Sequence, residues 1–380
     1  MDLKMMIKAH AKELGIDKIG FTTADNFAAL KPSLLAQKAA GHTTGFEHQN
    51  IDERLYPDKI YTQPQSKITI PLAYPAKIHD RPPRTGPKRG RFARASWGID
   101  YHTVLDRKMA SLIKFIKRTA ENDPTLRFKP MVDTGELIDV VVAQRAGLGF
   151  IGKNGLLITP EFGSYVYLGE IITNIKFAPD EPMTSQCGDC TRCIDFCPPK
   201  ALLGDGRMNG QRCLSYQTQT KGYMDPEFRP MIRNVLYGCD ICQQVCPFNK
   251  GKDFHIHPEM EPDPETVLPE LIPMLTLTNK DFKTRFGKLA GAWRGKKPLQ
   301  RNAIIALVNL HDRSAIPHLL EVIEHDPRPM IRATAAWAVG ELQSSSNPEI
   351  ETFLKTALAK ETTPEAQVAF QDALDHLTQH

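Results

Sequence analysis

The residues best equipped for chemistry are eight cysteines, all confined between Cys187 and Cys246 of a 380-residue chain. The first run reads Cys187-x2-Cys190-x2-Cys193-x3-Cys197-Pro198. A second, Cys239-x2-Cys242-x3-Cys246-Pro247, repeats its end, with Cys213 as a first cysteine displaced upstream by an insertion. Three thiolates on one tight loop hold three corners of a 4Fe-4S cube, and the fourth cysteine of such a run ligates the other cube. On that exchange Cys187, Cys190, Cys193 and Cys246 hold one cluster, and Cys197, Cys213, Cys239 and Cys242 hold the second. Zinc also takes paired Cys-x2-Cys, but a zinc tetrahedron seldom needs a third cysteine three residues on, twice, each time before proline.

Such clusters relay single electrons and do not transform a substrate, so an electron acceptor is expected elsewhere in the chain. It contains no G-x-x-x-x-G-K-[ST] loop, which argues against a hydrolysed nucleotide. Val132-Asp133-Thr134-Gly135-Glu136-Leu137 places an acid between an apolar run and a helix. Asp133 there either caps a helix or turn, or donates a proton over a cofactor. The glycine-rich stretch from Lys153 to Tyr165 either approaches a large planar cofactor or forms a plain hairpin.

The elements that must position these residues alternate through the first 180 positions. Asp2 stands where it would cap a helix carrying Leu3, Met6, Ile7 and Leu14, stopped by Gly15. Lys18–Phe21 and Lys67–Tyr74 read as strands. Leu105, Met109, Leu112, Ile113 and Ile116 recur at helical spacing between Tyr101 and Glu121. A second helix runs from Asp139 to Ala146, and Ser164–Thr173 is a buried strand. Proline and acid between Ala178 and Pro182, and again between Pro258 and Pro264, mark boundaries at which the domains 1–178, 179–257 and 258–380 divide.

Beyond the second boundary the pattern repeats. Ala303-x-x-Ala306-Leu307-x-x-Leu310 recurs 32 residues later as Ala335-x-x-Ala338-Val339-x-x-Leu342, and 35 residues after that as Phe370-x-x-Ala373-Leu374-x-x-Leu377. Pro298, Pro329 and Pro364 precede the copies at first-turn positions. Periods in the thirties point to a short HEAT-like solenoid, with an irregular helical bundle as the alternative.

A composition of 41% hydrophobic and 24% charged residues is that of a globular protein, and no apolar run approaches the about 18 residues of a membrane helix. The opening Met1-Asp2-Leu3-Lys4 has no secretory character, so a soluble, cytoplasmic chain with reduced thiols is expected. A net charge of +4 decides no partner, but two acid-free basic runs stand out. Arg81, Arg84, Lys88, Arg89, Arg91 and Arg94 form one; Arg294, Lys296, Lys297 and Arg301 form the other. Such runs are usually solvated faces, yet beside helical repeats they fit an RNA backbone.

With these residues in hand the chain resembles the epoxyqueuosine reductase family. The resemblance rests on Gly20-Phe21-Thr22-Thr23-Ala24, Arg94-Ala95-Ser96-Trp97-Gly98, Val132–Leu137, both cysteine runs, Gln217-Thr218-Gln219-Thr220-Lys221-Gly222 and Trp293-Arg294-Gly295-Lys296-Lys297-Pro298. It implies an α+β multidomain protein. A nitroreductase-like α/β domain binds cobalamin, a two-cluster ferredoxin-like domain follows, and HEAT-like repeats dock a tRNA anticodon stem-loop.

The resemblance also implies roles. Asp133 matches the proton donor, in an apolar, partly buried site. Arg54, Ala93, Asp133, Leu157, Leu168 and Ser215 match positions around the corrin, and Lys221, Arg294, Lys296 and Lys297 match tRNA contacts. Histidine-ligated corrin proteins carry D-x-H-x-x-G; Asp100-x-His102-x-x-Leu105 lacks the glycine, in keeping with a base-off cobalamin that no histidine ligates. The implied reaction is a two-electron deoxygenation of the epoxide on the wobble nucleoside, by a monomer fed from an external flavodoxin- or ferredoxin-type donor. Two rivals stand beside it. A reductive dehalogenase shares corrin and clusters but has no use for helical repeats, and a plain electron carrier would bind no corrin.

Overall fold

The computed structural model describes residues 2–83, 85–343 and 347–378, so Arg84 of the first basic run lies outside the described residues. The strands among them are β1 (Gly20–Thr23), β2 (Ser66–Ala73), β3 (Arg91–Phe92), β4 (Phe128–Met131), β5 (Phe150–Ile151), β6 (Leu157–Ile158), β7 (Val166–Thr173) and β8 (Val235–Tyr237). The chain divides into two compact units. The first takes residues Met1–Lys77, Ile99–Cys213 and Asp240–Glu261; the second takes Ile78–Gly98, Leu214–Cys239 and Pro262–His380.

In the first unit β1, β2, β7 and β4 lie side by side in that order, every pair antiparallel. All eight positions of β2 are buried, the polar Ser66, Lys67 and Thr69 among them. Register fixes the chemistry: Glu170 of β7 sits opposite Thr69 on one side and Met131 on the other. Because β4 ends at Met131, the Asp133 loop leaves the sheet beside the Leu168 end of β7.

The Tyr101–Thr119 helix forms where periodicity places it and buries Val104, Leu105, Met109, Leu112 and Ile116. Each such burial stabilises by roughly 1.5–3 kcal/mol. The helix lies so near β7 that a Cβ added at Gly169 would stand 3.2 Å from the Met109 sulfur. At its start Asp100 is the N-cap, accepting the His102 backbone N–H. Asp2 occupies the N-cap position of the Leu3–Glu13 helix without a side-chain bond, and Gly15 ends that helix at φ +65°. The first strand starts at Gly20, two residues later than its apolar run suggests.

The second unit holds the parallel pair β3 and β8 and a run of helices, Lys296–Asn309, Ile316–His325, Pro329–Leu342, Pro348–Lys360 and Pro364–Thr378. All three repeat copies fall on helices that bury Ala303, Ala306 and Leu307, Ala335, Ala338 and Val339, and Phe370, Ala373 and Leu374 in one core. This is the stacked helical solenoid rather than an irregular bundle. Gly340 lets two copies meet closely, for a Cβ there would lie 3.1 Å from the Ala373 Cα. Among the described residues no helix is long and apolar enough to cross a membrane.

Candidate functional site

Four of the eight cysteines converge. Cys187, Cys190, Cys193 and Cys246, none of them disulfide-bonded, line one cavity with Lys153, Asn154, Ile158, Pro247 and Phe248. Burial, together with the neighbouring Cys187, Cys246 and Cys190 thiols, pushes the Cys193 thiol above its ordinary value. Sulfurs that repel one another in a nearly dry pocket fit a cationic iron core that takes them all as thiolates. Of the second set, Cys197, Cys213 and Cys242 belong to the first unit and Cys239 to the second.

The glycine-rich stretch is a hairpin, β5 to β6, and its turn meets the cysteines. The Lys153 backbone N–H donates to Cys187 Sγ at 3.4 Å, and Lys153 Nζ donates to the Gly188 carbonyl at 2.7 Å. The hairpin reading of that stretch holds, and its close neighbour is the cysteine pocket. Lys153 was not among the expected site residues; its place just before the Asn154-Gly155 turn is the only sequence signal for it.

Asp133 does not cap a helix. The Asp139–Arg145 helix starts from Ile138 without a side-chain cap. Asp133 instead adopts φ +48°, a left-handed conformation that Asp tolerates better than most residues. Its carboxylate accepts the Tyr101 hydroxyl at 2.8 Å, and its backbone N–H donates to Asp139 Oδ2 at 3.1 Å. Tyr101 is held in turn by stacking on Tyr167 of β7, 4.4 Å apart and 5° from parallel. The Asp133 side chain is 62% exposed, which is not the partly buried apolar site expected for it. A left-handed residue held by hydrogen bonds to its backbone N–H and to its carboxylate presents the acid outward.

Behind the loop lies a charge cluster that composition and spacing did not reveal. Asp139 and Glu170 touch, and burial raises both carboxyls above the ordinary range. The Glu170 oxygens meet no N–H or O–H donor among the described residues. Burial and mutual repulsion both favour a proton retained on the pair. Lys67, 0% exposed on β2, is pushed down to about 7 by burial, with Arg145 adding to the effect. Its ammonium donates to the Thr23 and Asp25 carbonyls at 3.3 and 2.9 Å.

Comparison with known proteins assigns this arrangement. Residues 54–134 match the family model of epoxyqueuosine reductase, residues 186–249 a 4Fe-4S double cluster binding domain, and residues 294–375 HEAT repeats. The epoxyqueuosine reductase of Listeria monocytogenes is 55% identical over 93% of both chains. The chain belongs to the epoxyqueuosine reductase family. One crystal structure in the family, an epoxyqueuosine reductase with an epoxyqueuosine-modified tRNA-Tyr stem loop, superimposes with a TM-score of 0.95 at 51% identity over 99% of both chains. Another, from Bacillus subtilis with the catalytic aspartate loop swung out of the active site, gives 0.94 at 50% identity over 99% of both chains.

Residues that the epoxyqueuosine reductase resemblance placed around a corrin are divided between the units. In the first, Leu157 packs with Ala143 and Leu148 against half-buried Leu168. Arg54, half-buried on the Ile51–Leu55 helix, has its guanidinium pKa lowered by burial and feels the opposing charges of Glu47 and Asp139. The buried His102 Nε2 has no hydrogen-bond partner among the described residues. Apolar Leu168, outward-facing Asp133 and this orphaned nitrogen fit one side of a macrocycle with polar edges. In the second unit, Ala93 is buried against Gly238, and Ser215 lies on the Leu214–Gln217 helix.

The residues that the same resemblance assigned to RNA also lie in the second unit. Arg294, Lys296 and Lys297 line a groove of about 680 Å³ together with Arg328 and His325. Lys221 is exposed in the 217–222 loop. Arg301, counted in the second basic run, is instead fully buried. It donates to the carbonyls of Gln217, Thr220 and Gly222 at 2.6–2.9 Å and so shapes the loop that carries Lys221. Arg89 of the first run is engaged too, by Glu265 and Glu270. Basic spacing alone does not separate a surface cation from one that braces a loop.

Proposed function

We propose that this chain reduces epoxyqueuosine to queuosine in tRNA, by a two-electron removal of the epoxide oxygen. The observation that carries this reading is Asp133, presented outward on a braced left-handed loop in a chain sharing half its residues, end to end, with epoxyqueuosine reductases. When bound, cobalamin supplies a low-valent cobalt centre of strong reducing power, and the two cubes deliver electrons singly.

The chain's own residues divide the remaining work. Cys187, Cys190, Cys193 and Cys246 hold one cube; Cys197, Cys213, Cys239 and Cys242 hold the other. Arg54, Ala93, Leu157, Leu168 and Ser215 are the residues assigned to the corrin. Asp133 protonates the departing oxygen. Lys221, Arg294, Lys296 and Lys297 bind phosphates of the anticodon stem-loop. These assignments follow the division into a cobalamin domain (1–178), a cluster domain (179–257) and an RNA-contacting repeat domain (258–380). The working form is a cytoplasmic monomer drawing on a flavodoxin- or ferredoxin-type donor.

A dehalogenase would need neither the basic groove nor the loop that Arg301 braces. Anaerobic incubation of the reconstituted protein with epoxyqueuosine-containing RNA, cobalamin and a low-potential reductant tests the reading. Conversion to queuosine is expected, and an unchanged nucleoside beside release of halide from an aryl halide would replace it with the rival.

A further inference from the structure

Reduction of an epoxide to an alkene breaks two C–O bonds, forms one C=C bond and releases water, consuming two electrons and two protons. The low-potential donor supplies the electrons. A single Asp133 carboxyl carries one proton, so the second must reach it during turnover. The residues around Asp133 contain a source.

The Asp100-x-His102 pair, which lacks the glycine of histidine-ligated corrin proteins, is built into the start of the Tyr101–Thr119 helix. Asp100 Oδ1 accepts from His102 Nδ1 at 2.7 Å and also from the His102 backbone N–H at 3.1 Å. One carboxylate thus sets both the backbone and the ring. Nε2, on the far side of the ring, lies 3.9 Å from Asp133 Oδ2 and has no hydrogen-bond partner among the described residues. The ring is further fixed by stacking on Tyr101, 4.3 Å away, whose hydroxyl already donates to the same Asp133 oxygen.

We propose that His102, oriented by Asp100, is the positioning residue that returns a proton to Asp133 within each reduction. The proposal rests on the epoxide reduction proposed above. Asp133 gives its proton to the departing oxygen and becomes a carboxylate. A small swing of this exposed side chain closes the 3.9 Å gap, and the imidazolium passes its Nε2 proton across, becoming neutral imidazole. Asp133 then delivers the second proton needed for water, and the ring is recharged between turnovers, when the loop carrying Asp133 moves off Nε2.

The surroundings favour a charged ring whenever Asp133 is a carboxylate, as it is once its first proton has gone to the departing oxygen. The Asp100 hydrogen bond, ahead of burial, raises His102 above its ordinary value, with Asp133 and Asp106 adding. The charged groups acting on it are Asp100 and Asp106 on its own helix and Asp133 on the loop after β4. This is the geometry in which a carboxylate stabilises the protonated form of a histidine.

The test combines a titration with a rate profile. In histidine-labelled protein without substrate, the His102 ring followed by NMR should titrate above the ordinary histidine value. Asp133→Asn should lower that titration, and Asp100→Asn should lower it further. His102→Gln should keep RNA affinity and the cluster absorption, slow single-turnover reduction at least about 10-fold, and erase the alkaline inflection that matches the ring's titration. A ring titrating at the ordinary value and indifferent to Asp133→Asn, or a His102→Gln profile superimposable on wild type, would overturn the proposal. Wild-type protein with the raised, Asp133-sensitive titration but no conversion of epoxyqueuosine would instead refute the proposed reaction, and with it the relay's role in turnover, while leaving the coupled pair established.

Discussion

The backbone N–H of Asp133 donates to Asp139 Oδ2 at 3.1 Å, so the acid offered to solvent is tied to a second carboxyl that burial holds above the ordinary range. The bond holds a residue whose φ of +48° would otherwise relax. Replacing Asp139 by Ala removes the acceptor and costs about 1–3 kcal/mol at the loop. Asp139→Asn keeps an oxygen in place. The Ala variant should lose single-turnover rate by at least about 10-fold with its iron–sulfur absorption intact, and the Asn variant should retain more. Equal rates for wild type and Asp139→Ala would show that the loop needs no anchor.

The buried pair also predicts how stability responds to pH. Asp139 and Glu170 titrate above their unfolded values, so between about pH 4 and neutrality the folded state binds more protons than the unfolded chain. Stability therefore falls as pH rises through that window. Lys67, pushed down to about 7, acts oppositely above neutrality, where the unfolded chain binds more protons and stability recovers with rising pH. Glu170→Gln removes one of the titrating carboxyls. Its denaturant midpoint should change less between pH 5 and 7 than that of wild type, by the equivalent of about 1–2 kcal/mol; identical slopes would place the retained proton elsewhere.

Arg301 is the brace of the 217–222 loop. Arg301→Met fills much of the volume but leaves the carbonyls of Gln217, Thr220 and Gly222 without their donor. Loss of about 2–5 kcal/mol is expected in the second unit, measured by denaturant unfolding, with weaker binding of a stem-loop RNA. A variant of wild-type stability would mean that water replaces the guanidinium.

The groove lysines differ from each other. Lys296 already donates to the Leu277 carbonyl at 2.8 Å, while Lys297 lines the same groove. Converting both to Ala should weaken RNA binding and flatten its salt dependence by up to about two units of slope. Lys297→Ala alone should account for the larger part. An unchanged slope would move the RNA surface off this groove.

How much of this was legible beforehand differs by feature. The spacing puts Cys187, Cys190 and Cys193 on one tight loop because such ligands are local, and the fold brings Cys246 of the second run into the same pocket. Helical periodicity likewise found the Tyr101–Thr119 helix and the three repeat helices. The buried Lys67, Asp139 and Glu170 cluster was not legible, since it is assembled by sheet register between strands a hundred residues apart. Arg301 was misread for a related reason: its partners are backbone carbonyls about 80 residues away, and carbonyls leave no trace in composition. Asp133 was recognised as an acid at a loop, but its left-handed backbone and its bonds to Tyr101 and Asp139 required the fold.

The central claim is that Asp133 protonates the oxygen leaving an epoxide on tRNA. The most direct measurement is mass analysis of the modified nucleoside before and after anaerobic incubation with cobalamin and a low-potential reductant, for wild type and Asp133→Asn side by side. Wild type should convert the nucleoside with loss of one oxygen atom, while Asp133→Asn retains cobalamin and both clusters and leaves the epoxide intact. Full conversion by Asp133→Asn would contradict the account.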